Sequence, residues 1–220
     1  MDKIVPTKPL LVMLYGFPGA GKTFFARQLS EHMQLAHVQG DRIRHELFEQ
    51  PRYDKQENTV VMQLTNYMTE QFLNAGVSVI YDTNAMRVGQ RRALRDMARK
   101  AGGESLLVWL QIDVESAFMR VAQRDRRKTD DKYAMPLDRT TFDNLTKHMQ
   151  NPLREENYVV ISGKHSHKTQ QLSVIKKLRV KGIVNPEEPT AKLVMPGLVN
   201  HVPNPTAGRV DLDRRNIVIR

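Results

Sequence analysis

Residues 10–15 (LLVMLY) are apolar without a break, and no polar position alternates with them. A strand of that kind needs cover on both faces, as in the interior of a parallel sheet. The period then changes. Phe25, Leu29 and Met33 recur four apart, so 22–34 reads as a helix with one buried side. This exchange of strand for helix repeats down the chain. A short strand is predicted over 36–40, then a helix from Asp41 to about 49 that Pro51 ends. A longer helix covers 54–75, with Val60, Leu64, Tyr67, Met68 and Phe72 as its buried face and Gly76 as its C-cap. Strand 77–81 closes on Asp82, Thr83 and Asn84, and helix 88–101 carries Leu94, Met97, Ala98 and Ala101 inward. Strand 105–112, helix 114–127, a polar loop over 128–136, helix 137–150, strand 158–162 and helix 169–180 complete the series.

Such alternation predicts an α/β fold, a three-layer sandwich with a mostly parallel five-stranded sheet between helices. Right-handed crossovers bring the C-terminal ends of the strands to one edge, where ligands of these sheets bind. Gly16, Asp41, Asp82 and Asp113 fall at or just past such ends and converge on one crevice. The flanks break the pattern. Residues 1–9, with two prolines, read as a flexible lead-in to a domain over 10–181, and 182–220 as a Pro-rich extension. Val210, Leu212 and the apolar 217–219 make that extension too apolar for a free tail, so it is expected to pack on the domain or on a partner.

The first strand and helix are joined by GFPGAGKT, residues 16–23, which fills every fixed position of G-x-x-x-x-G-K-[ST]. A nucleotide's phosphates need several backbone N–H groups aimed at one point, and glycines let the chain wrap that closely. The helix that follows adds the partial positive charge of its N-terminus. Gly16, Pro18, Gly19, Ala20, Gly21, Lys22, Thr23 and the adjoining Phe24 are therefore the candidate ATP contacts. Lys22 reaches the β- and γ-phosphates, and the Thr23 hydroxyl is placed to hold Mg²⁺.

Composition narrows the setting. The 220 residues contain no cysteine, which excludes disulfides and thiol chemistry. No apolar run approaches the roughly 18 residues of a membrane span, and no signal-peptide pattern precedes residue 10, so a cytoplasmic protein with no membrane partner is expected. A net charge of +10 would draw a nucleic acid or a phosphorylated small molecule, and equally suits a generally basic surface.

Asp82 ends a hydrophobic strand, the place of a carboxylate that acts on Mg²⁺. The residue after it is Thr83, not the glutamate that polarises water in motor ATPases, and no N-K-x-D element reads guanine. Both features favour phosphoryl transfer to another molecule. Asp41 serves as a helix N-cap or as the base that takes a proton from an acceptor hydroxyl, two compatible roles. Arg44 lies one turn on, placed to hold an anionic group of the acceptor. Arg120, Arg124 and Arg127 repeat at helical spacing before the polar loop, a pattern that suits a lid closing over the triphosphate, with Arg124 its leading contact. Arg87, Arg91, Arg95 and Arg99 form a second series, read as winding from the buried side at Arg87 to solvent at Arg99. Arg87 and Arg91 are its candidates for acceptor contact, beside Asn84 at the end of the preceding strand.

Together these residues resemble the P-loop kinases of the AAA-domain and zeta-toxin-like ATP-binding group, and within it the 5′-kinase domain of phage-type polynucleotide kinase. The likeness rests on GFPGAGKT, the D-x-x-R of Asp41 and Arg44, YDTN over 81–84 with the paired Arg91 and Arg92, and the R-x-x-x-R of Arg120 and Arg124. It covers about residues 8–180. The resemblance implies a shikimate- or adenylate-kinase-like sheet, ATP and Mg²⁺ at Lys22 and Thr23, and Asp41 as general base. It also implies Arg44 at an acceptor phosphate, with Arg124 and Arg120 acting from the lid. The phosphatase domain often fused to such kinases has no counterpart here. Relatives phosphorylate nucleic-acid ends, nucleosides, sugar nucleotides or antibiotics. The acceptor thus stays open between a nucleic acid 5′-hydroxyl and a small metabolite, and an ATP-binding regulatory module without transfer is a third possibility. Oligomeric state does not follow from the sequence.

Overall fold

The computed structural model describes residues 3–125, 127, 131–135 and 137–185. Strands β1 (Leu10–Tyr15), β2 (Ala36–Gln39), β3 (Val79–Asn84), β4 (Glu104–Gln111) and β5 (Tyr158–Ser162) form one sheet in the order β2-β3-β1-β4-β5, with every pairing parallel. The helices are α1 (Lys22–His32), α2 (Gly40–Leu47), α3 (Lys55–Asn74), α4 (Val88–Lys100), α5 (Val114–Ala122), α6 (Arg139–Lys147) and α7 (His167–Val180).

The unbroken apolar run of β1 is explained by two cores. Leu10, Val12 and Leu14 pack against Phe25 and Leu29 of α1 and Val174, Ile175 and Leu178 of α7. Leu11, Met13 and Tyr15 face the other way, towards Leu73 of α3 and Leu94 and Ala98 of α4. Each fully buried aliphatic side chain contributes roughly 1.5–3 kcal/mol, so the loop after β1 starts from the most firmly held strand of the sheet. A third cluster, Ala117, Val121 and Phe142, ties α5 to α6 and takes in Phe17 of the loop.

One irregularity matters for the crevice. Between Met13 and Leu14 the partner on β3 jumps from Tyr81 to Asn84. Asp82 is left opposite Gln39 of β2 instead. Bulges of this kind re-aim side chains beside active sites.

Several expectations need correction. The fully buried residues of α3 are Glu57, Val61, Thr65, Thr69 and Leu73; of the expected face Met68 and Phe72 do pack against the core, while Val60 and Tyr67 are exposed, and Glu57 is buried against Arg44. The helix expected over 114–127 stops at Ala122. Arg120, Arg124 and Arg127 therefore share no helix face. The lead-in is held, since Ile4 forms a parallel bridge to Met33 and is buried. The domain also runs past 181, because Ile183 and Val184 join the core and the Ile183 carbonyl accepts from Thr7 N–H at 2.9 Å. Beyond Asn185 the extension, with its expected packing, lies outside the described residues. Among those residues no helix is long and apolar enough to cross a membrane.

Candidate active site

The loop 16–23 is seated by contacts that only small residues permit. Gly19 has φ 83°, and a Cβ there would come within 2.2 Å of the Ala117 carbonyl oxygen. Lys22 Nζ donates to the carbonyls of Gly16 (2.9 Å) and Phe17 (3.0 Å), and Asn84 Nδ2 donates to the same Gly16 oxygen at 3.0 Å. Asn84, an expected acceptor contact, thus braces the loop while lining the crevice. Burial pushes the Lys22 ammonium down to about 8; Asp82 opposes that shift, Arg124 adds to it and Asp41 opposes it.

Across from Lys22 stands Asp82, its Oδ1 accepting from the Thr23 hydroxyl at 3.3 Å and its Oδ2 3.0 Å from His37 Nε2. Sequence reasoning missed His37. The strand alternation of AHVQ puts it beside Gln39, but only the β2–β3 register shows that this face meets Asp82. Thr83 Oγ1 and Asn84 Oδ1 are buried beside the loop with no hydrogen-bond partner. Among the described residues no group of three or more His, Cys, Asp or Glu could hold a metal unaided. Thr23 and Asp82 therefore fit a Mg²⁺ that arrives with a nucleotide, since this ion commonly takes one or two protein oxygens with phosphate and water completing the shell.

Asp41 is not the N-cap. That position is Gln39, and Asp41 lies in the first turn of α2. Gly40 makes the placement possible: a Cβ on it would lie 2.4 Å from Thr83 Oγ1, so only glycine lets α2 press against the end of β3. Freed from capping, Asp41 is exposed and lines the open crevice. Lost hydration pushes its pKa up to about 6; Asp82 adds repulsion, while Arg124, Arg44 and Lys22 pull it down.

The arginines divide. Arg91 is the chief correction: it is 0% exposed, bonded to Glu156 (2.9 Å) and to the carbonyls of Ala85, Gln150 and Asn151, so it cannot touch an acceptor. Burying a charge demands such complete pairing. Arg87, expected on the buried side, is exposed and lines the crevice. Arg44 also lines it, but its Nη1 is bound to Glu57 (3.0 Å) and its Nη2 to Asn58 (2.5 Å); Nε has no hydrogen-bond partner. Arg120 Nη1 donates to Gly163 O at 3.0 Å. Arg124 lies beyond α5, donates to Met135 O at 2.9 Å, and has its pKa lowered by burial against the pull of Asp131 and Asp41. Arg127 is exposed and pairs with Asp125. Asp113, expected at the crevice, caps α5 and pairs with Lys164 at 2.8 Å instead.

The crevice encloses about 1390 Å³, more than the roughly 300–1,000 Å³ of a pocket for one drug-sized ligand. Its lining includes Lys22, Thr23, Asp41, Asp82, Arg120 and Arg124, which converge as the sequence suggested. The model of the AAA domain family matches residues 11–152. The chain belongs to that family. No curated protein matches it at a comparable level. Solved structures of similar fold include a sugar kinase from Janibacter sp. HTCC2649 (14% identity, TM-score 0.55, covering 86% of this chain and 99% of that one). The Mycobacterium tuberculosis APS kinase CysC in complex with AMPPNP and APS is similar at 16% identity and TM-score 0.55, over 79% and 99% of the two chains. The Pnkp1/Rnl/Hen1 RNA repair complex is similar at 17% and 0.53, over 67% of this chain and 45% of that one. At these identities the likeness is one of fold, a P-loop kinase-like α/β sheet.

Proposed function

We propose that this AAA domain protein transfers the γ-phosphate of ATP to an acceptor hydroxyl, as an ATP- and Mg²⁺-dependent phosphotransferase. The observation that carries the proposal is Asp41: a carboxylate with no capping role, in the same crevice as the phosphate-binding loop, with its pKa raised towards neutrality. A base with that affinity for protons suits the removal of one from an alcohol.

Lys22 and the loop amides hold the β- and γ-phosphates. Thr23 and Asp82 would hold Mg²⁺, which would offset phosphate charge, and His37 steadies the second Asp82 oxygen. Asp41 accepts the acceptor's hydroxyl proton as that oxygen bonds to the γ-phosphorus and the bond from phosphorus to the bridging oxygen of ADP breaks. Arg124, with Arg120, neutralises charge that develops on the transferring group. Arg87 and Arg44 line the acceptor side. The crevice lining holds seven lysines and arginines against three acidic residues; Arg44 and Lys164 are paired with Glu57 and Asp113 outside it, and the excess that is left favours a polyanionic acceptor such as a nucleic acid 5′ end, a reading in keeping with the fold shared with a chain of an RNA repair complex. Sugar and APS kinases share the fold, so a small metabolite is the competing acceptor.

Labelled ATP offered with 5′-hydroxyl DNA, 5′-hydroxyl RNA, nucleosides and sugars tests this. Labelled product on any of them supports phosphotransfer. ATP binding without a phosphorylated product from any acceptor contradicts it and leaves a regulatory nucleotide-binding module.

A further inference from the structure

We infer that Tyr53 is a stacking platform for the acceptor, and that the acceptor therefore carries a nucleobase beside its hydroxyl: a nucleoside or the 5′ end of a nucleic acid. The inference rests on phosphotransfer in this crevice and specifies its substrate class.

Among the described residues, Tyr53 is the one non-glycine at positive φ, 59°. A bulky side chain is rare in that region, and strain of this kind persists only where the surroundings fix it, most often at ligand sites. Here the surroundings do fix it. Glu57, 3% exposed, accepts from the backbone N–H of Arg52 (2.9 Å) and of Tyr53 (2.8 Å) and from Arg44 Nη1 (3.0 Å). Asn58 Nδ2 donates to the Tyr53 carbonyl at 3.2 Å. The Arg44 guanidinium lies 4.8 Å from the centre of the Tyr53 ring. A buried carboxylate, an amide and an arginine are thus committed to presenting one aromatic ring.

What the ring faces decides the ligand class. Tyr53 lines the crevice that contains Asp41, together with Met62 and Met86. Thioethers and an aromatic ring favour a flat, polarisable group. Every nucleobase has such a face, and stacking on an aromatic side chain tolerates any base sequence. The Tyr53 hydroxyl already meets His45 Nε2 at 3.4 Å, and polar lining groups such as Asp41, Asn58 and Gln90 suit the hydroxyls of the acceptor's sugar, so the ring and the two thioethers supply the flat apolar surface that a base adds.

The test compares kcat/KM for an oligonucleotide with an ordinary 5′ nucleotide against one with a 5′-hydroxyl abasic residue. The wild type is expected to favour the base-bearing end by about tenfold or more, the usual weight of one stacked base. Tyr53→Phe should keep the preference. Tyr53→Gly should abolish it without lowering the thermal midpoint, because glycine adopts positive φ freely. Equal use of both ends by the wild type, or a preference that survives Tyr53→Gly, overturns the inference. A purely structural tyrosine gives the latter result, with turnover falling alike on both ends. Phosphorylation of sugars with no base dependence also overturns it while phosphotransfer stands; no transfer to any acceptor removes both.

Discussion

Asp41 and Lys22 show how a crevice changes side chains that would titrate ordinarily in water. Asp41 is pushed up to about 6, chiefly by lost hydration and then by Asp82. A base must be ionised to act, so kcat/KM should rise with pH through about 6 and level off above it. The same rise in pKa has a consequence for stability. The folded chain holds this proton more tightly than the unfolded one, so ionising Asp41 costs stability as pH climbs from the usual carboxylate range to about 6. Asp41→Asn should therefore leave the calorimetric midpoint at pH 7 unchanged or raised; a clear fall would mean that the carboxylate is a structural partner. His37 works through another residue. With its ring gone in His37→Ala, the Oδ2 of Asp82 loses its 3.0 Å partner, and more Mg²⁺ should be needed for tight binding of a fluorescent ATP analogue. Unchanged Mg²⁺ dependence would assign His37 to the edge of the sheet alone.

Among the elements, α4 gives the clearest lesson about what a sequence reveals. Its arginines are four apart, and periodicity alone cannot say which one turns inward when the partner, Glu156, is 65 residues on. Arg91, expected at the acceptor, is instead the buried tie between α4 and the loop before β5. Truncating it leaves Glu156 with its main partner gone, so Arg91→Met should cost about 3–5 kcal/mol in urea unfolding; a loss below 1 kcal/mol would contradict the buried pairing. The face of α3 departs in part from its apolar period for a related reason, since buried Glu57 is legible only once Arg44 stands beside it. By contrast the places of β1, the glycine loop 16–23 and Asp82 could be read directly, because each depends on neighbours in sequence: an unbroken apolar run, fixed glycines and a carboxylate at a strand end. Gly19 belongs to the same class. Gly19→Ala brings a Cβ to 2.2 Å from the Ala117 carbonyl and should lower both stability and ATP affinity, measured by calorimetry. An alanine variant with native affinity would show that the loop need not rest on α5.

For the molecule as a whole, an all-parallel sheet collects the strand ends at one edge, and one family covers most of the elements that build it. Convergence of the loop, Asp82, Asp41 and the arginines in a single crevice follows from that topology. If the proposed acceptor is a nucleic acid, the excess of basic side chains there holds it partly by charge. KM for an oligonucleotide should then climb with salt more steeply than KM for a nucleoside, and parallel salt curves would argue against a polyanion in the crevice. The most direct test of the chemistry is single-turnover transfer of labelled phosphate from ATP to the best acceptor, by wild type and by Asp41→Asn, with ATP affinity measured on both. If Asp41 is the base, the variant binds ATP as the wild type does and transfers about 10²–10⁴-fold more slowly. Transfer by Asp41→Asn at the wild-type rate would contradict it.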